Sequence, residues 1–175
     1  MGSDRLSGNE AATRAMEHWP EAFGLALQLT GRRAEAEDVA QEAFLRLSRH
    51  AGEVDGSRPL RGLVLRIVRN LVIDRARRGR AGSLDEAGPA DGRATDPFEA
   101  AARSEERSVL RAALEGLSPR WRSVLYLRDG LDLSYREIGE VVGITEDVVR
   151  VTLHRARRRL RDHMSERLSD DREES

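Results

Sequence analysis

The sequence predicts an all-α protein made of two small helical domains. Apolar residues recur at three- and four-residue spacing in four segments, which is the spacing of a single helix face. The four sets are Val39, Ala43, Phe44 and Leu47; Leu63, Val64, Ile67, Val68 and Leu71; Val109, Leu110, Ala113, Leu114 and Leu117; and Val149, Leu153, Ala156 and Leu160. No segment alternates apolar and polar residues for long, which disfavours strands.

A change in composition separates the two helical blocks. Residues 81–100 are rich in Gly, Ala and acidic side chains, and such a segment cannot bury enough apolar surface to order itself. We therefore expect a helical domain over 12–80, a flexible linker over 81–100 and a second helical domain over 101–163. The polar tail, 164–175, has five acidic residues and two Arg, and it is expected to be disordered.

The composition excludes several classes of protein. The chain has 175 residues, of which 39% are hydrophobic and 35% charged, as expected for small domains with much exposed surface. The absence of Cys excludes disulfides and a thiol nucleophile. The four His are far apart, so no metal, cofactor or catalytic residue is expected. No apolar run reaches the length of a membrane span, so we expect a cytoplasmic protein without membrane insertion.

Capping signals set several helix boundaries. Gly31 should end one helix, because Gly adopts the left-handed C-cap conformation at little cost. The next helix should cover Ala34–Arg49. Ser118 followed by Pro should open another helix. Ser134 and Glu137 have the spacing of a capping box at the start of a further helix.

That last helix begins a helix-turn-helix pattern. Gly143 provides the turn, and a second helix is predicted to run to Arg161. In this motif the second helix enters the major groove with its N-terminal residues nearest the bases. Six Arg lie between Arg150 and Arg161, and no acidic residue alternates with them. This half is therefore predicted to bind DNA through base edges and phosphates.

The N-terminal half has a basic and an acidic segment. Eight Arg and one Asp lie between Arg58 and Arg80, which suits phosphates and exposed bases. The preceding helix has an acidic cluster, made of Glu35, Glu37, Asp38 and Glu42. Because carboxylates repel phosphate, this cluster indicates a protein partner with a basic groove. A favourable interaction with the helix dipole would explain the cluster's first three residues well, but Glu42 less so.

In their order these segments resemble the extracytoplasmic-function (ECF) sigma factors of the sigma-70 family. Residues 29–31 and 36–47 resemble the core-polymerase-binding part of sigma region two. Residues 66–78 resemble the part that recognises and opens the minus-ten promoter element. Residues 114–160 resemble region four, which reads the minus-thirty-five element.

The resemblance implies three partners: core RNA polymerase, promoter DNA and an anti-sigma factor. The residues expected at core polymerase are Glu37, Asp38, Gln41, Glu42, Leu45 and Arg46. Those expected at the minus-ten element, including its melted non-template strand, are Arg66, Arg69, Asn70, Asp74, Arg75, Arg77 and Arg78. Those expected at the minus-thirty-five duplex are Arg136, Thr145, Asp147, Val148, Arg150, Val151, Thr152, His154, Arg155 and Arg158. The loop 51–61 would help to select a flipped base.

Three positions depart from the family pattern. Leu63 stands where an aromatic residue is common before the minus-ten helix. In the recognition helix, Asp147 and Val148 replace a usual Gly-Thr pair, and Thr152 replaces an Arg. A carboxylate is added near the DNA and a hydroxyl is lost, so the upstream target sequence should differ from the common one.

Two other interpretations remain open. An ordinary helix-turn-helix regulator would share the C-terminal half, but its N-terminal half should form an apolar sensor pocket. The low aromatic content, 4%, and the Arg-rich helices disfavour such a pocket. A divergent sigma-like protein could bind polymerase without opening promoters. An enzyme is the least favoured class.

Overall fold

A computed structural model of the chain describes residues 7–82 and 100–173. Within these ranges the regular structure is almost entirely helical, as the sequence predicts, and there is no β-strand. The α-helices are α1 (Gly8–Met16), α2 (Trp19–Thr30), α3 (Arg33–Arg49), α4 (Leu60–Gly82), α5 (Ala100–Glu115), α6 (Pro119–Leu125), α7 (Tyr135–Val142) and α8 (Glu146–Glu173).

Helices α1 to α4 form the N-terminal half. A capping box between Ser7 and Glu10 starts α1 at Gly8, four residues before the expected start of the helical domain at residue 12. Gly31 ends α2 in the left-handed conformation (φ 69°), and its N–H donates to the carbonyl of Leu27, which confirms the predicted C-cap. The predicted apolar face of α3, including Val39 and Leu47, is buried.

Helices α5 to α8 form the C-terminal half and contain the predicted helix-turn-helix. The Ser118 hydroxyl accepts from the N–H of Trp121 at the start of α6. Ser134 and Glu137 make the reciprocal bonds of a capping box at the start of α7. Gly143 ends α7 at φ 75°, and α8 follows after a short turn. Ile138, Val149 and Leu153 are buried between the two helices.

The last helix is longer than the sequence analysis predicted. The tail was expected to be irregular from residue 164, yet α8 continues to Glu173. The physical reason is that no Gly or Pro follows Gly143, and the intervening residues include several good helix formers. Most of the expected linker, 83–99, lies outside the described residues, as do 174–175.

The two halves pack against each other, α4 on α7 and α2 on α6. Arg61 joins them, because its Nε donates to Glu21 (2.9 Å) and its Nη2 donates to the carbonyl of Leu131 (2.8 Å). The Tyr126 ring lies against Gly24, where an added Cβ would be 2.0 Å from the Tyr126 hydroxyl. The buried apolar residues of both halves form one continuous cluster. We call this arrangement the docked state.

Candidate protein- and nucleic-acid-binding surfaces

Helix α3 exposes a narrow stripe of three side chains on the face opposite its buried residues. Asp38, Gln41 and Leu45 are exposed and follow one another at three- and four-residue spacing. Leu45 is 56% exposed, an unusual position for a leucine beside a carboxylate. We call these three residues the α3 stripe. It combines an acidic, an amide and an apolar group within about two helical turns.

The other predicted polymerase-binding residues of α3, Glu37, Glu42 and Arg46, flank this stripe and form Arg–Glu ion pairs. Glu37 accepts from the Arg33 Nε at 3.0 Å. Glu42 accepts from the Arg46 Nη2 at 2.6 Å and from the Arg75 Nη2 at 2.7 Å. Glu42 therefore joins α3 to α4. Arg75, expected at the minus-ten element, faces α3 instead.

Helix α4 exposes a second stripe. Arg66, Asn70, Asp74 and Arg77 are exposed along one side of the helix, and we call them the α4 stripe. Their spacing follows the helical repeat, so an extended chain or strand lying along α4 would meet all four.

Two further predicted minus-ten residues lie beside the α4 stripe in different environments. The exposed Arg78 donates to the carbonyl of Asp74 at 3.3 Å. Arg69 is half-buried, and its Nε has no hydrogen-bond partner. Burial lowers the pKa of Arg69, and the nearby cations Arg120 and Arg77 lower it further. Because Arg120 belongs to α6, docking brings two like charges together.

A cleft of about 870 Å³ lies between the loop before α4, the first turns of α4, and α7. The side chains from the two halves that face it include Arg58, Arg66, Asn70, Arg136, Glu137 and Glu140. Arg136 was expected at the minus-thirty-five element, but in the docked state it lies in the same cleft as two minus-ten residues. The loop is ordered by an Asp55–Ser57 turn and by Arg14, which donates to the carbonyl of Gly56 at 3.1 Å.

Helix α8 has one buried and one exposed face. Val149, Leu153 and Ala156 are buried against the rest of the C-terminal half. The exposed face contains seven of the predicted minus-thirty-five residues, namely Asp147, Val148, Arg150, Val151, His154, Arg155 and Arg158. The Asp147 and Arg150 side chains approach to 3.4 Å and remain largely open to solvent. We call this surface the α8 face.

Two predicted residues of this region have local structural roles instead. The Thr145 hydroxyl accepts from the N–H of Val148 at 3.4 Å, as a residue at the start of a helix does. Thr152 is only 7% exposed, and its hydroxyl donates to the carbonyl of Val148 at 2.6 Å. Because Thr152 lies on the packed side of α8, it is not one of the proposed DNA contacts.

Comparison with known families assigns both halves. Sigma-70 region 2 matches residues 15–82, and Sigma-70 region 4 matches residues 107–160. The chain belongs to the sigma-70 family. The relatives that match this chain include ECF sigma factors, so promoter-directed transcription initiation is favoured over the ordinary regulator and the divergent sigma-like protein.

Three relatives illustrate the match. The ECF RNA polymerase sigma factor SigL of Mycobacterium tuberculosis is 35% identical over 168 residues, which cover 90% of this chain and 93% of SigL. SigE of Mycolicibacterium smegmatis is 35% identical over 161 residues, or 88% of this chain but only 61% of SigE. SigW of Bacillus subtilis is 30% identical over 155 residues, covering 81% of this chain and 82% of SigW.

Two solved structures share the fold. The sigma factor RpoE, in complex with the anti-sigma factor NepR from Bartonella quintana, aligns with a TM-score of 0.68 at 21% identity, covering 87% of this chain and 95% of RpoE. CnrH, in complex with the cytosolic domain of CnrY, aligns with a TM-score of 0.65 at 23% identity, covering 94% of this chain and 98% of CnrH.

The residues that dock the two halves of this sigma factor were not predicted from the sequence. Glu21, Arg61 and Leu131 are joined by hydrogen bonds, and Gly24 receives Tyr126. Of these residues, only Gly24 has a sequence signal that could have indicated its role. A glycine inside a helix lowers the stability of that helix, so its presence indicates that another group approaches the backbone closely. The described residues contain no group of three His, Asp or Glu arranged to hold a metal. None of the helices in that part is long and apolar enough to cross a membrane.

The link between α3 and α4 predicts a pH dependence of stability. The hydrogen bond from Arg75, and secondarily Arg46, lowers the pKa of Glu42 below its usual 4.5. A lowered folded-state pKa stabilises the fold above the unfolded-state value, and this stabilisation is lost as the pH falls through the folded-state pKa. Glu42→Gln should therefore lower the free energy of unfolding by about 1 kcal/mol at pH 7, a value reduced for solvent screening.

Urea unfolding at pH 7 and at pH 3 measures this effect. The difference between the wild type and Glu42→Gln at pH 7 should become smaller at pH 3, which lies below the usual pKa of 4.5. Glu53→Gln makes the same change at an exposed position and should leave stability unchanged at both pH values. An equal deficit of Glu42→Gln at the two pH values would contradict the ionic origin of the link.

Proposed function

We propose that this sigma factor binds core RNA polymerase through the α3 stripe, minus-ten DNA through the α4 stripe, and minus-thirty-five DNA through the α8 face. The observation that carries the proposal is that three separate helices expose three chemically different surfaces. One is acidic and apolar, one is mixed and lies beside a cleft, and one is rich in Arg with valines among the charges.

The α3 stripe fits a protein partner. Asp38 would repel phosphate, so this surface is unsuited to DNA. Leu45 offers an apolar side chain that a complementary pocket can bury, and buried anchors of this kind carry much of the energy of protein interfaces. Gln41 can satisfy polar groups at the edge of such a pocket. A basic, partly apolar groove on core polymerase is the partner that this chemistry fits.

The α4 stripe fits a melted strand. Arg66 and Arg77 can bind phosphates, and the Asn70 amide can both donate to and accept from an unpaired base. The adjoining cleft lies beside Arg66 and Asn70. In the docked state, however, Glu140 of α7 also faces this cleft. We therefore propose that the C-terminal half moves away from α4 when DNA enters.

The α8 face fits duplex DNA in the major groove. The N-terminal turns of α8 expose Asp147 and Arg150, and further cations follow along the same face. Arg can bind guanine through two hydrogen bonds, and the later Arg residues can hold phosphates. The two promoter elements are then bound by one chain, which raises the effective concentration of the second contact.

We propose that Arg150 contacts a base edge. Arg150→Ala should weaken binding of the holoenzyme to its specific upstream element by about 1–3 kcal/mol and relax specificity at one position. Competition binding with a set of single-base upstream variants measures both effects. Arg159→Ala removes the same charge elsewhere on α8. It should weaken binding to all the upstream variants by one common factor, which is smaller than the loss for Arg150→Ala at the specific element. A uniform loss for Arg150→Ala would identify a phosphate contact instead.

Three further features belong to the same proposal. The protein acts in the cytoplasm with RNA polymerase, and it has no catalytic site of its own. An anti-sigma factor covers one or more of the three surfaces. The support for this partner is that RpoE and CnrH, which share the fold, were each solved with such a protein or a domain of one.

Run-off transcription tests the proposal. Purified core polymerase and a pool of genomic promoters are transcribed with and without the protein. We expect discrete new start sites, whose upstream sequences give both promoter elements. Binding to polymerase without new transcripts would favour a divergent sigma-like protein. Binding to DNA without binding to polymerase would favour an ordinary regulator.

A further inference from the structure

Two valines of α8 lie on the surface of the protein. Val148 is 42% exposed and Val151 is 48% exposed, whereas the apolar residues Val149, Leu153 and Ala156 of the same helix are buried. The two exposed valines contribute nothing to the core. Exposed apolar side chains on an otherwise charged helix face are typical of a surface that meets a partner.

The helix geometry places these valines among the DNA-facing residues. Positions three apart on a helix are neighbours about 5–6 Å apart, so Val148 and Val151 form one small apolar patch. Asp147 and Arg150 lie beside it, and Arg155 continues the same side one turn further on. Because the exposed Arg residues of the α8 face outnumber Asp147, a polyanion is a better partner for this patch than an acidic or neutral protein surface.

The major groove of DNA offers one prominent apolar group, the C5 methyl of thymine. Guanine, adenine and cytosine carry hydrogen-bonding groups but no methyl group at their major-groove edges, and a valine cannot pair with those groups. Neighbouring bases on one strand lie 3.4 Å apart. A patch formed by two valines can therefore cover the methyl groups of thymines at neighbouring base pairs.

We propose that Val148 and Val151 select thymine in the upstream promoter element by covering its methyl group. This inference rests on the proposed function of the α8 face, and it names a base that this face recognises. Arg150 and Asp147 would then specify the flanking base pairs by hydrogen bonding, while the valines specify thymine by apolar contact. The recognition helix thus reads part of its site through a group without hydrogen bonds.

Uracil lacks the methyl group and keeps every hydrogen-bonding group of thymine, so it provides the test. A promoter identified by run-off transcription is prepared in two forms, with thymine or with uracil throughout the upstream element. Holoenzyme affinity for each form is measured by competition. We expect about three- to fivefold weaker binding for each methyl group that is contacted and removed, the factor that follows from burial of one carbon.

Two protein variants and one DNA control sharpen the test. The double variant Val148→Ser, Val151→Ser should bind the two forms equally, at or below the affinity of the wild type for uracil. Leu110→Ser removes an exposed apolar side chain elsewhere and should keep the wild-type difference. Uracil placed only between the two promoter elements should have no effect. Both valines are exposed, so their replacement should leave the fold intact.

The outcomes separate this inference from the proposed function. Discrete start sites together with equal affinity for the thymine and uracil forms would overturn the inference and leave the function standing. The same holds for an upstream element that contains no thymine. If the double variant instead loses affinity for core polymerase, the valines belong to a protein interface and the inference is wrong. Without any new start sites, the proposed function itself fails.

Discussion

Replacing Leu45 by glutamate is expected to weaken binding of this sigma factor to core RNA polymerase by about 100-fold or more. Leu45 is 56% exposed in the free protein and lies beside Gln41 on the face of α3 opposite its buried residues. Loss of a buried apolar anchor costs 2 kcal/mol or more at many interfaces, and a carboxylate placed in an apolar pocket adds a desolvation cost. About 2.7 kcal/mol corresponds to a hundredfold change.

Equilibrium binding of the purified variant to core polymerase measures this change, and the thermal unfolding midpoint shows whether the fold is intact. Leu110→Glu is the matched control, because Leu110 is also exposed (39%) but belongs to α5. That variant should bind polymerase like the wild type. Equal loss of binding in both variants, or unchanged binding of Leu45→Glu, would exclude the α3 stripe as the polymerase contact.

Gly24→Ala is expected to have opposite effects on α2 and on the docked state. An alanine inside a helix is favoured over glycine by about 1 kcal/mol, so α2 itself should become more stable. The added Cβ, however, would lie 2.0 Å from the Tyr126 hydroxyl, and the ring must leave its place. Overpacking of this kind costs about 1–3 kcal/mol. This is enough to shift the ratio of docked molecules to molecules with separated halves roughly 5- to 150-fold.

The chain has no cysteine, so a pair of introduced cysteines can be labelled without side reactions. Arg49→Cys and Arg159→Cys place one dye on each half at exposed positions. Gly24→Ala should lower energy transfer between them. Gly62→Ala is the matched control, since nothing lies within 4 Å of its Cβ position, and it should leave energy transfer unchanged. Unchanged transfer in Gly24→Ala would show that the Tyr126 contact does not hold the halves together.

Much of the fold could be predicted because its signals are local. The C-caps at Gly31 and Gly143, and the capping box at Ser134, each need only three or four neighbouring residues. The buried faces of α3 and α8 follow from helical periodicity in the same way. Local interactions fix the start of a helix as soon as the chain forms its first turn, so these interactions can be recognised in the sequence.

The remaining features depend on contacts distant in sequence. Glu42 was expected to meet a partner, but it bonds to Arg75, thirty-three positions further along the chain. Arg61 reaches Leu131 across seventy positions. Thr152 was placed at the DNA on its position in the motif, whereas its burial is set by the packing of α8. A single sequence does not show which distant side chains meet, so these partners could not be named in advance.

The length of α8 has a consequence for how the protein meets DNA. A continuous helix cannot fold back on itself, and at 1.5 Å per residue Asp170 lies roughly 30 Å along the axis from Arg150. That distance is several Debye lengths at physiological ionic strength, so the acidic end does not neutralise Arg150, the residue proposed at a base edge. The helix carries six Arg between residues 150 and 161 and most of its acidic residues beyond them, and its dipole has the same sense. Protein molecules that approach DNA with the acidic end of α8 are repelled. Productive encounters are therefore those in which the part of α8 around Arg150 faces the DNA.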